Sequence, residues 1–121
     1  MIDEIFSLSE DVRYVAIYRD GKIESRFKQE SVGASSSESD FYEELLVNPT
    51  LIKLATQRGE IDCGGLVYLI VRYGNFYQFV LPRTWGHVSV CIETGANPIE
   101  IGQQIKALLE NRETTSPGPV R

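Results

Sequence analysis

Residues 66–73, LVYLIVRY, are apolar at every position but Arg72. Two more β-forming runs follow at 76–81 (FYQFVL) and 87–93 (HVSVCIE). Gly74-Asn75 between the first two is a two-residue hairpin signal, with glycine where a type II′ turn needs positive φ. That turn sets the register: Tyr73 opposite Phe76, Arg72 opposite Tyr77, Val71 opposite Gln78, Ile70 opposite Phe79, Leu69 opposite Val80, Tyr68 opposite Leu81. The pattern predicts a three-strand antiparallel meander. In its last strand Val88, Val90 and Ile92 face one way, and His87, Ser89, Cys91 and Glu93 the other. Ser89 and Cys91 are small enough to let a helix come close. The first strand is apolar on both faces, so both faces of the sheet are expected to be covered.

Residues 12–28 predict a hairpin through Asp20-Gly21, a type I′ signal flanked by β-formers. Tyr18 then pairs with Ile23, Ala16 with Ser25 and Tyr14 with Phe27, while Ile17 meets Glu24 and Val15 meets Arg26. The first of these strands is apolar on both faces and reads as interior. The second alternates Ile23, Ser25 and Phe27 with Lys22, Glu24, Arg26 and Lys28. Such charged alternation guards a sheet edge against pairing with neighbours. The small-residue run SVGASSSES at 31–39 is expected to be a connecting loop, with phosphorylation or ordering by a partner as the other reading.

Helical periodicity appears in three places. Ile2, Ile5 and Phe6 make one apolar stripe in residues 2–9. Residues 40–58 read as an interrupted helix. Asp40 and Glu43 have capping-box spacing, and Phe41, Leu45 and Leu46 line one side. Pro49 ends or kinks the first segment, with Asn48 as N-cap of a second that carries Leu51, Ile52, Leu54 and Ala55. Gly59 is the expected stop. Residues 97–111 are the clearest helix, with Asn97 as N-cap, Pro98 next, and Ile101, Ile105, Leu108 and Leu109 as the buried stripe. Gly102 beside that stripe predicts close packing. One domain over residues 1–111 and a flexible tail over 112–121 account for the chain.

A chain of 121 residues holds one modest core. A net charge of −5 argues against phosphate-driven binding to nucleic acid and against adsorption to anionic membranes. No apolar run approaches the ~20 residues of a membrane helix, and the N-terminus is too short and acidic for a signal peptide. Cys63 and Cys91 form no CxxC pair, so a reducing, cytoplasmic setting is expected.

Candidate chemistry is sparse. His87 is the one histidine, with no second ligand at metal-binding spacing, and is expected to be structural. His87, Ser89 and Cys91 share a strand face, but alternate positions lie about 7 Å apart, beyond hydrogen-bond reach of a nucleophile and its base. Gly64-Gly65 precedes a strand, the reverse of a phosphate loop, and reads as a tight helix-to-strand turn. No acid, base and nucleophile converge, so no catalytic residue, metal or cofactor is expected. Arg72, Tyr77, Arg83 and Trp85 are of the types enriched at interface hot spots; Tyr77, Arg83 and Trp85 are the candidate partner-binding residues, against cross-strand packing as the alternative.

The sheet has two edges of opposite character. Residues 22–28 carry edge protection, whereas 66–73 carry almost none. A second copy, antiparallel across a two-fold axis, would satisfy the bare edge. The order helix, hairpin, helix, meander, helix resembles the roadblock / dynein light chain family within the profilin-like group. VRYVAIYRDGKIESRF is similar to its first hairpin, and GHVSVCIETGANPIEIGQQIKALL to its last strand and closing helix. The first helix is shorter than the family's, and Pro49 breaks the middle one. The resemblance implies an α+β fold, α-β-β-α-β-β-β-α, with a five-stranded antiparallel sheet, the middle helix on one face and the terminal helices on the other. It also implies pairing through the third strand and middle helix, here Phe41, Leu45, Leu51, Ile52, Ala55, Leu66, Tyr68, Ile70 and Arg72. Members of the family are non-catalytic scaffolds, motor light chains or regulators of small Ras-like GTPases. The expected function is therefore a dimeric adaptor, homodimeric by the edge argument. The competing expectation is a PAS-like small-ligand sensor, with Tyr68, Tyr77 and Cys91 lining an apolar pocket.

Overall fold

Asp20 and Gly21 both take left-handed backbone, with φ of 52° and 84°, so β1 (Val12–Arg19) and β2 (Lys22–Phe27) close through the expected I′ turn. Their register is the one read from the turn, from Tyr18 opposite Ile23 to Tyr14 opposite Phe27. The computed structural model describes residues 1–28 and 37–115. These form an α+β fold on one five-stranded antiparallel sheet of order β2-β1-β5-β4-β3. The meander strands are β3 (Leu69–Arg72), β4 (Tyr77–Arg83) and β5 (Gly86–Ile92). Of the expected register, Leu69–Val80 through Arg72–Tyr77 is present in the ladder. β5 turns back to pair with β1 and joins the two hairpins, with Val15 opposite Val90.

The edge strand β3 is shorter than the expected 66–73. The Tyr73 N–H bonds the Phe76 carbonyl at 2.9 Å. Alternation along β4 then points Gln78, Val80 and Pro82 toward β3. Pro82 has no N–H to offer, so the ladder stops before it. The Gly74-Asn75 link also differs, because Gly74 is not among the glycines with positive φ. Its carbonyls are held by side chains instead: Arg72 donates to Tyr73 O and Gly74 O, and Arg13 donates to Asn75 O at 2.8 Å. The two-residue spacing keeps the register without the II′ geometry.

One face of the sheet is apolar. Val15, Ile17, Phe79, Leu81, Val88, Val90 and Ile92 pack there against Ile2 and Ile5 of α1 (Ile2–Phe6) and against Ile101, Ile105 and Leu109 of α4 (Pro98–Thr115). Asn97 caps α4 as expected, its Oδ1 accepting from the Ile99 and Glu100 N–H groups at 3.1 Å. Gly102 is buried because the Phe79 ring occupies the space its side chain would need. The helix runs on to Thr115, past the expected boundary at 111. Arg112 bonds Glu4 and Glu113 pairs with Arg83, which ties this last turn down. The tail beyond 115 lies outside the described residues.

The opposite face carries the middle helix, and here several expectations change. It is one continuous rod: α2 (Ser37–Tyr42), a π-helical stretch (Glu43–Val47) and α3 (Asn48–Asp62). Asp40 therefore lies inside the helix and is no cap. Asn48 has helical φ and ψ and is no cap either. Pro49 does not break the rod. Its ring would clash with the carbonyl four residues back in a regular α-helix, and the wider π turn just before it relieves this. Gly59 does not stop the helix. It is buried because the returning chain crosses it, and a Cβ there would lie 3.0 Å from the Gly65 backbone. The turn is made by Gly64 and Gly65, with φ of 81° and 92°. Most of the serine-rich run expected as a loop, 31–36, falls outside the described residues.

Replacing Gly102 with alanine should destabilise the protein by about 1–3 kcal/mol through overpacking on Phe79. Adding Phe79→Leu should make the double variant less unstable than the two separate losses combined. Denaturant melts of the four proteins measure this, and strict additivity would remove Gly102 from contact with that ring.

Candidate functional site

The contact between the middle helix and the sheet is polar. On the sheet, β5 presents His87, Ser89 and Cys91, and β4 presents Gln78, all buried. On the helix, the buried residues are Glu44, Asn48 and Gly59. His87 Nε2 lies 2.7 Å from Glu44 Oε1, with both side chains cut off from solvent. The Asn48 amide donates to that same oxygen at 3.0 Å and to Ser89 Oγ at 3.4 Å. The Gln78 amide donates to Ser89 Oγ, and Cys91 Sγ donates to Gln78 Oε1 at 3.2 Å. A chain of six side chains thus runs across two strands and into the π turn. It is incomplete at its two helix members, since Glu44 Oε2 and Asn48 Oδ1 have no hydrogen-bond partner.

The other side of this helix is its mirror image in polarity. Phe41, Tyr42, Leu45, Leu46, Leu54 and Ile61 are each between 50% and 75% exposed. At about 100° per residue, Asn48 and Gly59 share one face, and Leu54 and Ile61 lie more than about 120° away. Six large apolar side chains on one rod form an exposed strip of the kind associated with binding surfaces. The bare edge of β3 flanks the same face of the sheet, where Leu69 and Val71 are half-buried.

A cavity of about 170 Å³ opens where the π turn leaves the sheet, lined in part by Tyr14, Phe27, Glu43, Glu44, Phe76 and Cys91. Its electrostatics are negative. Burial pushes the Glu43 carboxyl up, and Glu44 and Asp40 add to this, while the Tyr73 hydroxyl pulls it down. Burial raises the Cys91 thiol far above its ordinary range, with Glu44 next in effect. Burial and then the Glu44 and Asp40 carboxyls do the same to Tyr14; the Ser25 hydroxyl pulls the other way but is outside bonding geometry. A thiol held this firmly protonated is a poor nucleophile, and His87 is committed to Glu44.

No family model matches this chain, and no curated protein is significantly similar to it.

The residues singled out from the sequence scatter into separate places. Phe41 and Leu45 sit on the exposed strip; Leu51, Ile52 and Ala55 are partly buried beneath it. Ile70 and Tyr68 pack against the apolar core on the far face, Tyr68 with its ring 5.3 Å from that of Phe79. Leu66 precedes β3. Arg72 stacks over Tyr77 at one end of β4. Arg83 pairs with Glu113, and Trp85 lies under Arg19 at 3.9 Å, both at the other end. Tyr77, Arg83 and Trp85 therefore do not form one patch. Of the expected ligand pocket, Cys91 lines the cavity but Tyr68 and Tyr77 do not. Glu44 was not singled out, and Glu43 only as the capping-box partner of Asp40. A carboxylate four positions before Asn48, on the same helix face as that amide, was the available signal. Among the described residues no three metal-ligating side chains converge, and no helix is long and apolar enough to cross a membrane.

Removing His87 leaves Glu44 buried with only the Asn48 amide, and removing Glu44 leaves the His87 ring nitrogen buried without its partner. Glu44→Ala and His87→Ala should each lower unfolding free energy by about 1–3 kcal/mol. The double variant should lose clearly less than both together, and a cycle with no coupling term would contradict the bond.

Glu43 gives a pH signature. Its folded value lies above its unfolded one, so between the two the folded chain holds the extra proton. Stability then falls as pH rises through that window. Glu43→Gln should match the parent below about pH 4, where both states bind the proton, and melt higher at neutral pH. A constant difference at all pH values would contradict the burial of this carboxyl.

Proposed function

We propose that this chain is a non-enzymatic dimeric adaptor that pairs through the exposed strip of its middle helix and the bare edge of β3. The observation that carries the reading is the inversion of the helix, which buries Glu44 and Asn48 and exposes Phe41, Tyr42, Leu45, Leu46, Leu54 and Ile61. A helix laid on a sheet ordinarily does the reverse. Exposing this much apolar surface is unfavourable in water, and burying it against a second copy removes that penalty. β3 supports the same reading. It is an outer strand with Leu69, Ile70 and Val71 and no charge before Arg72, while the other edge, β2, exposes Lys22, Glu24 and Arg26.

The element order and the likeness to the roadblock / dynein light chain family support a scaffold and disfavour an enzyme. By that analogy the dimer would dock a partner protein, a small Ras-like GTPase being the class to test, in the cytoplasm. A stable dimer should bury on the order of 2,000 Å² or more.

Light scattering over a dilution series tests the pairing. The parent chain should remain dimeric to low micromolar concentration. Leu54→Glu, on a side chain that makes no core contact, should give a folded monomer, and Ile70→Glu a monomer or insoluble protein. A parent chain that is monomeric throughout, or a Leu54→Glu variant that stays dimeric, would rule out this seam. A purified Ras-like GTPase mixed with the dimer in its two nucleotide states tests the partner class separately.

A further inference from the structure

The cavity beside the π turn combines three features that together define a ligand class. The first is charge. Asp40, Glu43 and Glu44 line it, against one guanidinium, Arg13. Arg13 is held at the rim: it donates to Asn75 O at 2.8 Å, faces Glu93 at 3.6 Å and covers one face of the Phe76 ring at 5.5 Å, which leaves the other face for a guest. The second is a pair of carboxyl oxygens just behind the lining that lack hydrogen-bond partners. Glu44 is fully buried, and its Oε2, like Glu43 Oε2, has no partner. The third is aromatic lining. Tyr14 and Phe27 pack at 4.7 Å, with their planes tilted by 46°, and Phe76 closes another side.

Negative carboxyls set among aromatic faces favour a soft, polyatomic cation. A bare metal ion would need several converging oxygen or nitrogen ligands. The size agrees. A cavity of about 170 Å³ holds far more than one water, and one of about 150 Å³ takes a guest as large as benzene. It is too small for a nucleotide-sized ligand, which needs roughly 300 Å³ or more.

We propose that this cavity binds an alkylammonium group, with Glu43 and Glu44 supplying the counter-charge and Tyr14, Phe27 and Phe76 the ring faces. The group is carried either by a small free amine or by a lysine side chain. The raised Glu43 carboxyl fits this, because a cationic guest would favour its ionised form. Cys91 also lines the cavity and His87 is bonded to Glu44, and neither is needed for binding. The guest would bind whether or not the chain pairs with a second copy.

The test is titration of the purified full chain at neutral pH, by calorimetry and by protein NMR, with three probes. These are choline, N-acetyl-lysine methylamide, and 3,3-dimethylbutan-1-ol, a neutral shape-match of choline. At least one of the two cations should bind saturably, and the alcohol should bind about tenfold more weakly or not at all. Choline tighter than the lysine derivative identifies a free amine as the guest, and the reverse order a lysine side chain. Shifted resonances should cluster at Phe27, Glu43 and Phe76. Phe76→Ala and Glu43→Gln should each weaken cation binding several-fold, and binding to the parent chain should weaken as Glu43 takes up its proton in acid. Glu43→Gln keeps the size of the side chain and is expected to fold at least as well as the parent. Failure of both cations to saturate, equal binding of the alcohol, or unchanged affinity in both variants would overturn the proposal. Light scattering on the same samples keeps that failure distinct from a failure to dimerise.

Discussion

A carboxyl and an imidazole 2.7 Å apart, both out of contact with solvent, fix the middle helix on the sheet. Hydrophobic contact tolerates sliding, because burial is non-directional. Hydrogen bonds among buried groups do not, since each unmet donor or acceptor is costly there. Glu44, Asn48, Ser89 and Gln78 therefore set the axial position of the helix and its rotation about its own axis. The π turn follows from the same constraint. One residue's worth of extra backbone at Glu43–Val47 makes room for Pro49 and keeps Glu44, Asn48 and Gly59 on the inner side.

With the most buried positions of the inner face held by Glu44, Asn48 and Gly59, six large apolar residues of the helix are left on the outside. The two faces of the sheet thus do different work. The side covered by α1 and α4 is an ordinary apolar core and supplies the bulk of the stability. The side under the middle helix has few apolar contacts, principally Tyr14, Ala16 and Cys91 with Phe27 and Phe76. Where that small cluster meets the carboxyls of the π turn, packing leaves a cavity. Imperfect packing, buried charge and an irregular helical turn coincide at one place, the kind of local inconsistency that marks functional positions.

The strands were largely legible in the sequence. Period-two alternation and the Asp20-Gly21 turn specify the first hairpin, and the two-residue spacing at Gly74-Asn75 specifies the second register even though its backbone geometry differs. The N-cap at Asn97 was readable because it depends on neighbours within the same few residues, and the glycine beside the apolar stripe at Gly102 signalled close packing without naming its partner Phe79. The middle helix was not. Reading Asn48 as a cap and Gly59 as a stop follows sound local rules. Both are overridden by tertiary contacts, one to Ser89 and Glu44, the other to the Gly65 backbone. The shortening of β3 was hidden for the same reason, since Pro82 acts on a strand other than its own. The candidate site rests on Glu43 and Glu44, whose significance appears only once the helix is laid over β5 and its rotation is known.

The two rims of the sheet are unlike, and that bears on how far any assembly could grow. One rim, β2, alternates Lys22, Glu24 and Arg26 with Ile23, Ser25 and Phe27. The other, β3, is four residues long and uncharged until Arg72. A building block with a single adhesive end and a single guarded end can join one neighbour and no more. Head-to-head joining through β3 leaves β2 on both outer flanks, so the product has no adhesive end left. Were two copies to join through β3, growth into a fibre would stop at that first step, because Lys22, Glu24 and Arg26 lie on the strand farthest from it.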